Sequence, residues 1–261
     1  MKITIIGCGT MGSGLAERLH PNHTLLFYDH QFEKSNLLQE KGYGTAYTQL
    51  NEAMFQSDVL ILAVKPQSFE EAATLIGNKL PENLMVVSLL AGTLISKIKT
   101  HFPHNKVIRM MPNLALIYGE GVIGLAVNDS LTEKEKNKLT VISEPLGKIH
   151  WIDEQQMNAF TSLAGSGPAF VLALIESMVE VGIAMGFTAR ESQEIVEQMV
   201  KGSLYLLYKS GQSPRDLIAR IAPPGGTTQA GLKKMDELGL NTTIHSVFNA
   251  ASSRANEISK Q

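Results

Sequence analysis

The stretch Lys2-Ile3-Thr4-Ile5-Ile6-Gly7-Cys8-Gly9-Thr10-Met11-Gly12 decides the fold of the N-terminal half. A short β-branched run meets a glycine turn, and a segment with helical spacing follows over Met11–Leu19. In such a loop the first glycine makes a tight turn, the second lets backbone approach a pyrophosphate, and the third packs helix against strand. The sequence therefore predicts a Rossmann-type domain that binds a dinucleotide.

Short β-branched runs alternate with helical segments as far as Asp153, which predicts βαβ units in a doubly wound parallel sheet. The predicted strands are Lys2–Ile6, Thr24–Tyr28, Val59–Ala63, Met85–Ser88, Val107–Met110 and Val122–Ala126. Beyond Asp153 long helical patterns take over, with helix-capping signals at Ser166, Thr188 and Ser213. We expect an α/β fold, with a dinucleotide-binding domain over residues 1–153 and an all-helical substrate-binding and dimerisation domain over residues 154–261.

The composition excludes several classes of function. A formal net charge of -2 without a long basic run gives no electrostatic footprint for nucleic acid or an anionic membrane. The single cysteine, Cys8, cannot form an internal disulfide, so a cytoplasmic location is expected. The apolar stretch Ala169–Met185 is interrupted by Glu176 and Glu180, which favours a buried helix over a membrane span. The histidines lack metal-ligand spacing, so no metal site is expected.

Three predicted strand ends carry candidate cofactor residues, because ligands of open α/β sheets bind beyond the carboxyl ends of the strands. Asp29 follows the second strand, where a carboxylate can accept ribose hydroxyls and repel a 2′-phosphate; an aspartate that only makes a turn fits equally well. Lys65 follows the next predicted strand and either contacts the cofactor or is simply solvated. Asn113 lies near the nicotinamide or is an ordinary turn asparagine.

The chain resembles the pyrroline-5-carboxylate reductase family over essentially its whole length. The matching segments are Gly7-Cys-Gly-Thr-Met-Gly12, Leu62-Ala-Val-Lys-Pro-Gln67, Val87-Ser-Leu-Leu-Ala-Gly92, Arg109-Met-Met-Pro-Asn113, Ala164-Gly-Ser-Gly-Pro-Ala-Phe170 and Pro224-Gly-Gly-Thr-Thr-Gln-Ala-Gly231. Their order and spacing are more specific than any single glycine motif, and the last segment is the most diagnostic.

The resemblance implies an enzyme that reduces 1-pyrroline-5-carboxylate to L-proline, the last step of proline biosynthesis, by hydride transfer from NADPH or NADH. The family favours NADPH, whereas Asp29 favours NADH. The residues expected to bind the cofactor are Gly7, Gly9, Thr10, Met11, Gly12, Asp29, Ala63, Val64, Lys65, Pro66, Ala91 and Asn113.

The resemblance also implies a substrate site after Pro224. The backbone amides of Thr227, Thr228 and Gln229 would hold the substrate carboxylate, and the Thr228 hydroxyl would face the ring nitrogen as the catalytic group. Without the resemblance, a turn that merely caps a helix is the favoured interpretation. The full substrate-binding set is Gly226, Thr227, Thr228, Gln229, Asn113 and Ser166, of which Ser166 is expected to cap a helix and line the pocket.

The chain departs from the family pattern at Leu114 and Ala115, where the family has Thr-Pro, and at Pro223, where serine is common. One alternative is a β-hydroxyacid-dehydrogenase-like oxidoreductase, but that class needs a lysine that residues 154–197 lack. A second alternative is a non-catalytic dinucleotide-sensing protein, against which the intact segment from Pro224 argues. Apolar side chains in nearly every C-terminal helix predict a homodimer, or a larger oligomer built from dimers, whereas a self-contained bundle is less favoured.

Overall fold

The computed structural model describes residues 1–259, and these fall into two compact units. One unit comprises residues 1–166 together with the residues from 251 onward, and the other comprises residues 167–250. Within the described residues, every strand belongs to the first unit, and the second unit is helical. The expected α/β class with a helical C-terminal region is confirmed. The domain boundary between residues 153 and 154 stays a prediction.

The first unit is built on an eight-stranded sheet with the order β3-β2-β1-β4-β5-β6-β7-β8. Its strands are β1 Lys2–Ile6, β2 Thr24–Tyr28, β3 Thr45–Ala46, β4 Val59–Leu62, β5 Met85–Ser88, β6 Val107–Met111, β7 Gly121–Val127 and β8 Gly147–Trp151. Neighbouring strands run parallel except β6 and β7, which are antiparallel. The carboxyl ends of β1, β2, β4, β5 and β6 therefore share one edge, where the predicted cofactor residues begin.

Both faces of the sheet are buried, as expected for doubly wound parallel strands. Successive side chains point to opposite faces, so along β4 Val59 and Ile61 join one apolar cluster, whereas Leu60 and Leu62 join another. The helices of this unit are α1 Thr10–Leu19, α2 Phe32–Glu40, α3 Glu52–Phe55, α4 Phe69–Ile76, α5 Ile95–Lys99, α6 Glu133–Ser143 and α7 Met157–Phe160. Helices α1, α2 and α6 pack in the first cluster and α3, α4 and α5 in the second.

All six predicted strands are present, and two further strands were not predicted. Strand β3 has only two residues, Thr45 and Ala46, too few for a sequence pattern. Strand β8 pairs with β7 at the sheet edge, and most of its side chains are at least partly exposed. Such a strand is held by its backbone ladder more than by a buried apolar face, so its sequence carries little signal.

The expectation that Ser166 caps a helix is wrong. The helix begins much earlier, where Asp153 and Gln156 form a capping box, and α7 passes through a π-helical turn, Thr161–Ser166, into α8, Gly167–Ala184. Proline lacks an N–H, so the α-helical partner that Pro168 would give to the Ala164 carbonyl does not exist. A wide turn at this point accommodates the missing bond, and the short capping signal at Ser166 was therefore misleading.

The second unit contains α8 and the helices that follow it. Their bounds are α9 Ala189–Ser210, α10 Pro214–Ile221, α11 Thr227–Glu237 and α12 Leu240–Ile258, the last of which ends in the first unit. The predicted capping signals at Thr188 and Ser213 are confirmed, since the Thr188 hydroxyl accepts from Glu191 N and the Ser213 hydroxyl from Asp216 N. The helical assignment of this region was therefore correct.

The prediction that Ala169–Met185 forms a buried helix is wrong for a single chain. Val171, Leu172 and Val181 are exposed in α8, as are Leu204 and Tyr208 in α9. By length and composition alone, one helical stretch in the described residues, Glu154–Ala184, could cross a membrane, which by itself is weak evidence for a span. The burial expected from its composition is absent within one chain because this face lacks a packing partner there.

Candidate active site

The glycine loop between β1 and α1 has the backbone geometry that its sequence predicts. Gly7 has φ +98°, and a Cβ there would lie 2.7 Å from the Ala63 carbonyl group, so only glycine fits. A Cβ on Gly12 would collide with the Gly7 carbonyl oxygen. By contrast, a Cβ on Gly9 would meet no atom within 4 Å, which leaves open space above the loop for a ligand. Gly7 and Gly12 are thus required by the fold, whereas the fold itself leaves room for a side chain at Gly9.

The start of α1 offers unpaired amides beside that open space. Gly9 is its N-cap residue and makes no side-chain cap, and no acidic residue lies in the first turn. Thr10 is exposed and Met11 half-buried at this end of the helix. Free N–H groups and the helix dipole favour an anion here, so the arrangement fits a pyrophosphate.

Asp29 is buried at the end of β2 and holds the glycine loop in place. Its Oδ2 accepts a hydrogen bond from Cys8 N at 2.7 Å, and its Oδ1 accepts one from Gln31 N at 2.9 Å. His30 Nδ1 lies 3.2 Å from Oδ1. The bond to the amide two residues ahead closes the turn expected of an aspartate at a strand end. The structure thus gives Asp29 a loop-holding contact that the sequence did not predict.

Cys8 is buried in the loop with its thiol in a strongly perturbed environment. Desolvation by burial, followed by the charge of Asp29, raises the pKa of Cys8 to about 12, and Lys34 opposes this shift. The thiol is therefore protonated at neutral pH. Its contribution to the loop is a small side chain and a backbone N–H.

A cleft beside the loop gathers six of the twelve predicted cofactor residues. Its walls include Gly7, Gly9, Asp29, Ala63, Val64 and Lys65. His30 and Lys34 line the same cleft, so two lysines and a histidine surround the buried aspartate. The open space over Gly9 and the two lysine ammonium groups fit a dinucleotide, which carries negative charge at its phosphates.

A second cleft in the same unit brings together two more predicted residues. Pro66 and Ala91 line it, with Thr93 and Lys97 on the loop and helix beyond β5. Gly92 has φ +72°, and a Cβ there would lie 2.6 Å from the Ile258 side chain, so glycine is required by the turn and by its close neighbour. The sequence did not single out Thr93 or Lys97; their only signal was proximity to a strand end.

Asn113 joins strand β7 to the π-helical turn. Its Nδ2 donates to the Ala164 carbonyl at 3.0 Å, and its Oδ1 accepts from Val122 N at 3.2 Å. The side chain is buried. Ser166 lies two residues after Ala164 in the same turn and is half-buried. The structure therefore brings the predicted residues Asn113 and Ser166 close in the fold and gives Asn113 two backbone partners.

A buried ion pair near the same edge was missed by the sequence analysis. Arg109, in the middle of β6, donates to Glu154 Oε1 at 3.3 Å, and this oxygen also accepts from Ile95 N at 2.6 Å. Glu154 Oε2 accepts from Asn128 Nδ2 at 2.8 Å. Burial lowers the pKa of Arg109, and Glu154 opposes that shift. An arginine inside an apolar strand was the available signal, since such a charge needs a partner.

The glycine turn of the second unit opens α11 without a side-chain cap. Gly225 has φ +77°, its amide donates to Gln229 Oε1 at 2.7 Å, and Gly226 is the N-cap residue. No side chain caps this helix end in the part of the chain that the structure describes. Thr227 and Thr228 are exposed. The amides of the first turn are thus open to an external anion such as a carboxylate.

Comparison with known proteins agrees with these features. A family model described as pyrroline-5-carboxylate reductase dimerisation matches residues 154–258, and one described as NADP oxidoreductase, coenzyme F420-dependent, matches residues 2–92. A pyrroline-5-carboxylate reductase of Aquifex aeolicus is 33% identical over 263 residues, which cover 99% of this chain and 97% of the relative.

Two solved structures share the fold over nearly the whole length. The 1-pyrroline-5-carboxylate reductase of Streptococcus pyogenes has a TM-score of 0.90 and 30% identity, covering 98% of both chains. The pyrroline carboxylate reductase of Plasmodium falciparum, solved with NADP bound, has a TM-score of 0.89 and 27% identity, covering 99% of this chain and 98% of the other. By its extent and identity of sequence, the chain belongs to the pyrroline-5-carboxylate reductase family.

Proposed function

We propose that this chain reduces 1-pyrroline-5-carboxylate to L-proline with a hydride from NAD(P)H. The observation that carries the proposal is the uncapped glycine turn before α11, whose free amides suit the one carboxylate of this substrate. Membership of the family supports the same reaction. A protonated cyclic imine is already electrophilic, so the protein needs to supply position and a dry pocket rather than a nucleophile.

The cofactor is held by the first unit in this proposal. The amides at the start of α1, including those of Thr10 and Met11, bind the pyrophosphate above Gly9. The remaining proposed cofactor contacts come from Gly7, Gly12, Asp29, Ala63, Val64, Lys65, Pro66, Ala91 and Asn113. The nicotinamide, when bound, supplies the hydride.

The proposed cofactor preference depends on the charges around the adenosine ribose. The carboxylate of Asp29 favours NADH, because it repels a 2′-phosphate, whereas His30 and Lys34 on the same cleft attract one. The Plasmodium falciparum relative was solved with NADP. Specificity constants measured with both cofactors give the balance directly.

The substrate is bound by the second unit in this proposal. The amides of Thr227, Thr228 and Gln229 bind the carboxylate, and Gly226 lets the ring approach the backbone. The Thr228 hydroxyl faces the ring nitrogen and is the proposed catalytic group. Ser166 and Asn113 complete the proposed substrate set. Gln229 closes the turn through its side chain, so its amide is presented in a defined direction.

The proposed active form is a homodimer, or a larger oligomer built from dimers, in the cytoplasm. The dimerisation family model covers residues 154–258. In the same region an apolar groove is lined by Leu174, Val181, Met185, Ile195 and Met199. A second copy of the chain would remove this apolar surface from water, which stabilises association.

Steady-state kinetics with 1-pyrroline-5-carboxylate and each cofactor test the proposal. Thr228→Ala should lower kcat and leave the cofactor Kd unchanged, because only the group facing the imine nitrogen is lost. Thr242→Ala, an exposed threonine on α12, is the matched control and should keep wild-type kinetics. Wild-type kinetics in Thr228→Ala would remove Thr228 from the catalytic role. A folded wild-type protein that oxidises neither cofactor would favour the dinucleotide-sensing alternative.

A further inference from the structure

The π-helical turn over Thr161–Ser166 is held by a side chain from outside the helix. Pro168 cannot donate to the Ala164 carbonyl, and Asn113 Nδ2 donates to it instead, at 3.0 Å. An unsatisfied buried carbonyl is costly, so this bond stabilises the wide turn. Asn113 thus supplies the hydrogen-bond donor that the helix lacks because residue 168 is proline.

The carboxamide of Asn113 is chemically suited to this position. It donates to Ala164 in one direction and accepts from Val122 N, near the start of β7, in the other. The side chain is 7% exposed, so water has little access to compete for either bond. An ionised aspartate accepts only and an alanine does neither, so each of these replacements breaks the link between sheet and turn.

The link lies at the edge of the sheet where the proposed cofactor site is built. Asn113 follows β6, which pairs with β5, and β5 pairs with β4. The loop after β5 carries Ala91 and the loop after β4 carries Ala63, and both residues belong to the proposed cofactor site. The π-helical turn is therefore anchored beside the carboxyl ends of the strands, where doubly wound folds bind their ligands.

A π-helical turn sets the direction of the residues after it. It contains one residue more than a regular turn, and each residue of an α-helix advances by about 100°. If the segment relaxed into a regular α-helix, Gly165 and Ser166 would face a different direction relative to the sheet. Gly165 is exposed and Ser166 half-buried, so both present surface outward in the π form.

We propose that Asn113 is a positioning residue for the imine reduction: it holds the π-helical turn so that Gly165 and Ser166 form one wall of the proposed nicotinamide site. The inference rests on the proposed function and deepens it. Asn113 then acts on the reaction through the backbone of the turn. Its effect falls mainly on the use of the imine, since the amides proposed to hold the pyrophosphate lie elsewhere, at the start of α1.

Four variants separate this role from a merely structural one. Asn113→Ala removes the donor, and Asn113→Ala combined with Pro168→Ala replaces it with a backbone N–H inside the helix. Pro168→Ala alone keeps the Asn113 bond and controls for the loss of proline. Asn158→Ala removes a half-buried amide on α7 that donates to Asn256 and Ser259, and is the matched control for loss of an asparagine.

The measurements are Tm, the Kd of NADPH by fluorescence titration, and kcat and KM for 1-pyrroline-5-carboxylate. Asn113→Ala should lower Tm and lower kcat/KM about tenfold or more, a larger factor than that by which it raises the NADPH Kd through loss of one proposed cofactor contact. The double variant should recover Tm but not kcat/KM, because its turn is free to become a regular helix. Both controls should keep most of the wild-type kcat/KM.

Two results would overturn the inference while leaving the proposed function standing. One is wild-type kcat/KM in Asn113→Ala, and the other is recovery of kcat/KM together with Tm in the double variant. The second result would mean that satisfying the Ala164 carbonyl is all that Asn113 does. A wild-type protein inactive with both cofactors would contradict the proposed function itself, and this inference with it.

Discussion

Replacement of Asp29 by alanine should remove the hydrogen bonds that hold the glycine loop and also alter the proposed ribose site. The carboxylate accepts hydrogen bonds from Cys8 N at 2.7 Å and Gln31 N at 2.9 Å, and the residue is 7% exposed. A hydrogen bond to a charged group contributes about 1.5–3 kcal/mol. Water can reach the freed amides once the loop opens, so the expected loss of unfolding free energy is about 2–4 kcal/mol.

The same change should weaken the binding of both NADPH and NADH. Re-ordering even one residue of the loop on binding costs about 1–2 kcal/mol, which corresponds to about a tenfold rise in Kd. Urea unfolding followed by circular dichroism measures the first effect, and fluorescence titration with NADPH and NADH measures the second. The specificity for the 2′-phosphate is read separately from the ratio of the two Kd values, which should move towards NADPH when the charge is lost.

Asp58 offers a matched control, since it lies at the amino end of β4, away from the carboxyl ends where Asp29 lies. Its carboxylate also accepts from a backbone amide, Lys2 N at 3.1 Å, and from Lys138 Nζ at 2.9 Å. Its side chain is 39% exposed, so Asp58→Ala should cost about 1 kcal/mol or less and leave cofactor binding unchanged. If Asp29→Ala changed neither stability nor either Kd more than Asp58→Ala does, the loop-holding role of Asp29 would be refuted.

Two further predictions follow from the loop and from a capping box. Gly12→Ala should lower the urea midpoint, because its Cβ collides with the Gly7 carbonyl oxygen. Gly9→Ala should keep the wild-type urea midpoint, because its Cβ meets no atom, but should raise the NADPH Kd measured by fluorescence titration. Hydrogen bonding to Lys106, then to the Thr132 amide, lowers the pKa of Glu135 from its ordinary value of 4.5 to about 2. A depressed carboxyl pKa gives stability that is complete above pH 4.5 and lost as the pH falls towards 2, so urea midpoints of wild type and Glu135→Gln should differ above pH 5 and converge near pH 2.

Much of the fold could be predicted because two-sided burial leaves a clear sequence pattern. Strands such as β4 and β5 are continuous apolar runs bounded by turns, and their positions were predicted within a residue. Strand β8 is held mainly by its ladder with β7, so its side chains carry little information. The exposure of α8 could not be read from its composition, because an apolar helix that packs on another subunit resembles one buried in its own chain.

The candidate site shows the same division between local and long-range information. The glycine loop is a local motif, and its strained positions follow from neighbours close in sequence or on the adjacent strand. The hydrogen bonds of Asn113 and Glu154 reach partners far away in the chain: Ala164 lies 51 residues from Asn113, and Ile95 lies 59 residues from Glu154. The π-helical turn depends on both local and long-range information, since Pro168 removes a local donor and the distant Asn113 side chain replaces it. No spacing rule within one segment could have predicted that arrangement.

The environment of Cys8 has a consequence for sulfur chemistry. Alkylating and oxidising reagents attack the thiolate, and a pKa raised to about 12 by burial and by Asp29 keeps the thiol protonated at pH 7. The sole sulfhydryl group of the sequence is therefore poorly reactive in the folded state, although it lies in the loop proposed to bind the nucleotide. A cysteine engineered onto the surface could consequently be labelled with maleimide while the native protein gives almost no background.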